Sequence, residues 1–485
     1  MVPARSSRDE QSPLLGDRNE DVDRNATPPV AEAPLQDATV ARALRVAIPG
    51  VLIIVAFEIA MEFILIAFSQ LMEGAICVKT YPDIQEPYSD PRCKNDDVQV
   101  MLSFVRAWET SLALLPGFLT ALPYGMMADK YGAKFVLLLV FLGNLISLGM
   151  ETVVCLRPDI YDIRWIWAFC LLTVVGGGSI GWEAMKYTVA GGLSGEKKRL
   201  GSGPLVYVTM SRGPIVTQGI GLGLMALAMF LTLALPDVRE SKDNSELNGE
   251  NNSAPIGFRG HMSSAASTVQ TIFRDLFWNN YKLAFLLISQ LFTTIGSQEI
   301  FIRLQYVTKR YGWTWGEAGL LATISGIVET ALVAVILPGI SVMLLQKCHY
   351  TVFNKDVWLV RASGVAMVLG SFATGLAPTT PWLIVGVAVY SLSRGYGPAL
   401  VSLIASVAHN EHSGLIYVCI AMMKAIGAFV AGPSLAATFN LGLKWGGNWQ
   451  GLPFFYAGVL QFVAVIIVFT VRHEQKPVED DEDDE

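Results

Sequence analysis

The chain has 485 residues, of which 52% are hydrophobic and only 16% charged, with a formal net charge of −7. Soluble globular domains carry about 25% charged residues, so the composition argues against a water-soluble protein and for a surface that faces lipid. Basic residues are scattered through short polar intervals, which excludes a nucleic-acid-binding face. No Cys-x-x-Cys or His/Cys spacing supports a metal site, and no nucleophile–base pattern or phosphate loop supports an enzyme.

Residues 1–44 are polar and Pro-rich and read as a disordered cytosolic tail without a secretory signal, so insertion is expected to begin at an internal anchor helix. Within the tail, Glu10-Gln11-Ser12-Pro13-Leu14-Leu15 has the form of an acidic dileucine sorting signal. A membrane span needs about 20 apolar residues. Such runs fall near 46–69, 98–124, 133–155, 163–187, 215–235, 280–304, 316–338, 358–377, 382–406, 413–437 and 452–471. They divide into an N-terminal helical half, 45–238, and a C-terminal half, 280–473. The polar interval 239–279 reads as a cytosolic linker whose end, Thr268 to Trp278, has the pattern of an interfacial helix. Residues 474–485 form an acidic cytosolic tail.

The interval from Leu200 to Asp237 is too short for two spans and a turn, which need about 43 residues. The fifth helix is therefore expected to be short or partly missing, giving 11–12 spans. Arg42, Arg45, Lys130, Lys134, Lys197, Lys198 and Arg199 place the termini, the linker and these loops in the cytosol. Loop 70–97 then lies outside, where Cys77 and Cys93 are expected to pair. Cys155, Cys170, Cys348 and Cys419 read as apolar fillers.

Between the second and third spans stands Gly125-Met126-Met127-Ala128-Asp129-Lys130-Tyr131-Gly132-Ala133-Lys134. Gly125 and Gly132 suit close backbone approach and a tight turn, Asp129 suits a helix N-terminus, and Lys130 and Lys134 suit an anionic leaflet. The segment resembles the signature gating loop of the major facilitator superfamily. Gly176-Gly177-Gly178, the stretch from Leu304 to Trp313 and the stretch from Gly447 to Phe454 resemble fungal drug and metabolite exporters of that superfamily. The resemblance covers about 45–472 and implies an all-α fold of two pseudo-symmetric six-helix halves that rock about a central cavity. Two features depart from it. The Arg that many such exporters carry in the fourth span is replaced by Leu171-Leu172-Thr173-Val174-Val175, and the Gly/Pro-rich fifth-span signature is not recognisable.

Ionisable groups inside spans are costly, about 2.5–3.5 kcal/mol each on insertion scales, and so mark candidate sites. Glu58 and Glu62 share a face of the first span and suit a shared proton. Glu299 and Arg303 hold the equivalent place in the seventh and suit an internal ion pair. Glu183 with Lys186, Glu329, Arg394 and Lys424 complete the set, Arg394 having no partner on its own helix. Trp182 and Tyr396 are the aromatic cavity candidates. Arg106, Glu109 and Glu151 read as groups near outer helix ends that reach water. The expected activity is secondary transport, proton-coupled efflux of small organic molecules from a monomer in the plasma membrane, without a cofactor. A vacuolar location, a nutrient importer or an inactive transporter-like receptor are the alternatives.

Overall fold

The computed structural model of the chain describes residues 33–178, 204–233, 281–347, 352–407 and 413–470. Among them every regular element is helical. Residues 1–45 and 46–485 form separate compact units, and the bundle belongs to the second. Trp182, Glu183 and Lys186, the linker and both tails lie outside the described residues, as does the side chain of Asp129.

In chain order the helices are α1 (Ala33–Thr80), α2 (Asp96–Leu112), α3 (Leu114–Tyr131), α4 (Ala133–Leu156) and α5 (Trp165–Phe169). α5 runs on as a 3₁₀ stretch, Cys170–Gly176. A short helix, α6 (204–210), is followed by α7 (Pro214–Leu233), α8 (Tyr281–Ser297), α9 (Glu299–Arg310) and α10 (Trp315–Ala331). α10 continues through a wide turn into α11 (Leu337–Val342). The last helices are α12 (Val352–Leu376), α13 (Thr380–Ser391), α14 (Tyr396–Val407), α15 (Ser413–Trp445) and α16 (Leu452–Thr470). Eight helical stretches among the described residues are long and apolar enough to cross a membrane.

Where they are described the predicted runs are helical, several of them interrupted, and two differ from expectation in extent. The first helix continues to Thr80, well past the expected end at 69, because Glu73 finds buried partners that a span end would not provide. Before α7, the described part of the fifth span is only α6, which turns through 211–213 into Pro214.

The spans are broken where polar groups must be reached. Gln298 separates α8 from α9, and the i→i+3 bond from the Phe301 N–H to the Gln298 carbonyl tightens the joint. Gly177 and Gly178 take positive φ after the 3₁₀ stretch, which ends the regular helix at a conformation that a β-carbon disfavours. Broken helices at membrane depth are tolerated where the freed backbone meets protein or water rather than lipid. Local signals also fix α10. Thr314 and Glu317 form a reciprocal capping box, with Thr314 N–H donating to Glu317 Oε2 at 2.8 Å.

At one end of the bundle Cys77 and Cys93 form a disulfide that ties the end of α1 to the turn before α2. Beside it Lys79 pairs with Asp162 at 2.6 Å, and that hydrogen bond holds the Asp162 carboxyl below its usual range. At the other end Gly132 alone joins α3 to α4. There Lys134 Nζ donates to the Leu233 carbonyl at 2.9 Å, taking up an acceptor at the end of α7. Gly125 is exposed with open space around its α-carbon, so the close approach expected there is not made in this conformation.

The bridge closes a loop of sequence separation 16, and loops of that size are stabilised by about 3 kcal/mol in the chain-entropy account. The double variant Cys77→Ser/Cys93→Ser should therefore unfold at a lower temperature than the wild type when both are purified in detergent. A reducing agent should lower the wild-type midpoint and leave the variant's where it was.

Candidate functional site

The two halves meet along α2 and α15, and the sequence explains how they come so close. Pro433 has no N–H, so the Phe429 carbonyl one turn earlier loses its helical donor. Ser111 Oγ of α2 supplies the bond instead, at 2.7 Å. Gly432 makes the approach possible, because a β-carbon there would lie 2.5 Å from the Ala107 carbonyl oxygen. Further along the seam Ser103 Oγ donates to Asn440 Oδ1 at 2.7 Å.

Toward the disulfide the seam becomes a polar network centred on Glu73 of α1, which is 4% exposed. Its carboxylate accepts from Lys94 Nζ at 2.7 and 2.8 Å, from Gln99 Nε2, and from Trp315 Nε1 of α10 at 2.7 Å. Gln305 of α9 donates to the Gln99 carbonyl at 2.7 Å, and Lys309 pairs with Asp96 at 2.7 Å. Lys94 lies 5.0 Å from the Trp315 ring centre, and burial pulls its ammonium below the ordinary lysine value against the opposing pull of Glu73. Sequence reading missed this cluster because it ended the first span at 69 and so put Glu73 in a loop.

Below the network lies a cavity of about 350 Å³ between the halves. Phe57, Met61 and Phe68 of α1 and Phe301 of α9 supply much of its apolar wall, and Arg106, Glu109 and Glu151 bring charge to it. This corrects the expectation that these three groups reach water near outer helix ends. Arg106 stands about 15 Å along α2 from Asp96 at about 1.5 Å per residue, which is half the depth of a bilayer core of about 30 Å. That count was available from the sequence. Arg106 pairs with Glu109 at 2.9 Å and lies 5.6 Å from the Phe68 ring centre. Glu151 is 2% exposed; Ser147 Oγ donates to its Oε1 at 2.9 Å, while Oε2 has no hydrogen-bond partner among the described residues.

Gln298 and Phe301 are shared with a second cavity of about 390 Å³ in the C-terminal half, lined by Arg303, Tyr390, Arg394 and Tyr396 among hydroxyl and amide groups. Arg394 is not the isolated cation its own helix suggests. Glu329 of α10 accepts from its Nε at 2.7 Å, a pairing between distant segments that helical spacing cannot reveal. Glu299 and Arg303 make no direct ion pair either. Ser371 Oγ lies 3.3 Å from Glu299 Oε2, whereas the Arg303 guanidinium sits 5.6 Å from the Tyr390 ring centre. Tyr396 is buried, its hydroxyl 3.2 Å from Ser289 Oγ.

A third cavity, about 120 Å³, brings Glu62 and Arg303 to one space, again beside Phe301. Glu58 is half-buried on α1 one turn away. Lys424 is exposed on α15 and lines none of these three cavities. Lys130 is exposed, 5.1 Å from the Tyr131 ring centre, at the loop end of the bundle.

Spanning helices, a seam between halves and charge-bearing cavities at its centre define a polytopic helical bundle. No family model matches the chain. It is 26% identical over 437 residues to an MFS efflux pump of Emericella nidulans, covering 84% of each chain. It is 24% identical over 430 residues to an efflux pump of Aspergillus flavus, covering 83% of this chain and 84% of that one. Among solved structures it superimposes on the nucleoside transporter NupG with TM-score 0.53 and 16% identity, over 85% of this chain and 100% of that one. It superimposes on a D-xylose–proton symporter with TM-score 0.54 and 14% identity, over 87% and 97%. At these identities the solved structures establish the fold alone. The chain is thus similar along most of its length to fungal efflux pumps of the major facilitator superfamily and shares the fold of the solved transporters.

Removing one partner of a buried ion pair costs about 3–5 kcal/mol, and Glu73→Ala strands Lys94 together with the Trp315 N–H. Gly432→Val should open the same seam by steric contact with α2. Both changes should speed thiol labelling of a Ser103→Cys reporter in reconstituted protein. Labelling as slow as in the reporter alone would show that neither contact holds the seam shut.

Proposed function

We propose that this protein is a proton-coupled efflux carrier for small organic molecules. It works as a monomer in the plasma membrane, with both termini cytosolic and the disulfide end outside. The observation that carries the reading is the central cavity itself, an apolar space between two halves with ionisable groups in its wall. The names of the fungal relatives, which are efflux pumps, favour the outward direction. The positive loop charges favour the orientation.

Glu62 and Arg303 supply the coupling element in this reading. They come from opposite halves and share one small cavity, so the charge on Glu62 bears on how strongly α1 and α9 attract each other. A proton on Glu62 removes that charge and weakens the hold between the halves. Deprotonation restores it. A carrier built this way changes its preferred conformation with the proton load, which is what exchange of a proton for a substrate requires. The Gly125–Lys134 loop serves as the hinge and anchor at the cytosolic end, with Asp129, Lys130 and Lys134 in its charged positions.

Inverted vesicles containing the full chain should accumulate a fluorescent organic probe when their interior is acid, and lose that accumulation on addition of a protonophore. Glu62→Gln should reduce the gradient-driven component by about tenfold, the size of effect expected when about 1.4 kcal/mol of differential interaction is lost. Full gradient dependence in Glu62→Gln would remove Glu62 from the coupling role, and probe movement indifferent to the gradient in the wild type would remove proton coupling altogether.

A further inference from the structure

Among the described residues, the central cavity holds one acidic group more than it holds bases. Arg106 and Glu109 neutralise each other at 2.9 Å, and the Arg106 guanidinium is further occupied by the Phe68 ring. Glu151 remains, 2% exposed, anchored through one oxygen to Ser147 and with the other oxygen lacking a hydrogen-bond partner among the described residues. A buried carboxylate oxygen without a donor is costly unless a ligand supplies one. The donor set around it narrows what that ligand can be. Asn144, Ser147 and Thr110 are small neutral groups on the wall, and the remaining surface is mostly aliphatic and aromatic, including Phe57, Phe68 and Phe301. An anchored carboxylate beside aromatic faces in an apolar space is a recognition site for an organic cation, through a charge-assisted hydrogen bond and cation–π attraction.

Resting on the carrier reading above, we infer that the cargo is an apolar molecule bearing a basic amine. Its ammonium N–H donates to Glu151 Oε2, while its hydrocarbon body fills the space between Phe57, Phe68 and Phe301. Glu151 is then the residue that selects amines over neutral molecules of the same shape. The Arg106–Glu109 pair holds its own charge balance and leaves the selectivity to Glu151.

A pair of fluorescent probes tests this directly: a naphthalene sulfonamide with a dimethylaminopropyl tail, and its neutral isohexyl counterpart of matching shape. Binding of each to the purified full-length protein in nanodiscs is measured against empty nanodiscs, and transport of each is followed in the inverted vesicles. The wild type should bind the amine at least about tenfold more tightly than the neutral probe, the yield of one charge-assisted hydrogen bond. Glu151→Gln, which keeps the shape and the Ser147 contact, should bring that ratio close to one. Glu151→Asp, which keeps the charge, should retain part of the preference. Equal affinity for the two probes in the wild type overturns the inference without using any variant, and so does a ratio in Glu151→Gln as large as in the wild type. If the neutral probe is transported and the amine is not preferred, the amine site falls and the carrier reading stands. If neither probe is transported or bound, the carrier reading and the amine site fall together.

Discussion

The disulfide end of the seam between the halves depends on a single buried carboxylate. Glu73 sits at the seam with donors from both halves: Lys94 and Gln99 on one side, Trp315 on the other. An ionised group at 4% exposure is tolerable only while all of these bonds are made. The halves therefore have two sound arrangements at this end: joined with Glu73 satisfied, or parted far enough for water to replace the protein donors. Intermediate separations lose hydrogen bonds without gaining water. The Cys77–Cys93 bridge contributes by holding the Lys94 turn against α1, so one half of the donor set is in place before the other half arrives.

The remainder of the seam follows a different rule. Along α2 and α15 the contact is made by backbone proximity, with Gly432 opposite Ala107 and Ser111 taking up the carbonyl that Pro433 leaves without a donor. In a lipid environment a freed carbonyl cannot be left to solvent, so a Pro in a membrane helix selects a neighbour that can answer it. Such contacts are individually weak and geometrically exacting. They align the halves, while the Glu73 network determines whether they are shut.

The interruptions that shape the cavities are of the same kind. Gln298 breaks the seventh span where two cavities adjoin, and Gly177–Gly178 take positive φ in the fourth beside the one between the halves. Phe301, one turn past Gln298, borders all three spaces. The charges are divided between them rather than pooled: Glu151 with the Arg106–Glu109 pair in the first, Arg394 with Glu329 beside the second, Glu62 facing the space of Arg303 in the third. Separation of this sort leaves each charged group in its own space while all of them bear on the same helices.

The sequence by itself determined the class of protein. Runs of about twenty apolar residues leave few alternatives to membrane helices, and the Gly125–Lys134 loop carried the resemblance to the superfamily. It also raised the expectation of a shortened fifth span, since Leu200 to Asp237 is too short for two full spans; of that span only 204–210 is described. Glu62 and Arg303 stand out in the sequence because a charge in an apolar run is visible without a structure, and the fold brings both to one cavity. What spacing could not supply is which charge meets which. Glu329 and Arg394, Glu73 and Trp315, Ser103 and Asn440 are joined from segments far apart in the chain, and their partners depend on how helices rotate and pack. Depth was partly legible, as the position of Arg106 along α2 shows, but burial was not: whether a group at a given depth faces lipid, water or a neighbour is decided only when the other helices are in place. Glu151 illustrates the limit, an acidic residue near a helix end in the sequence and an enclosed carboxylate in the tertiary structure.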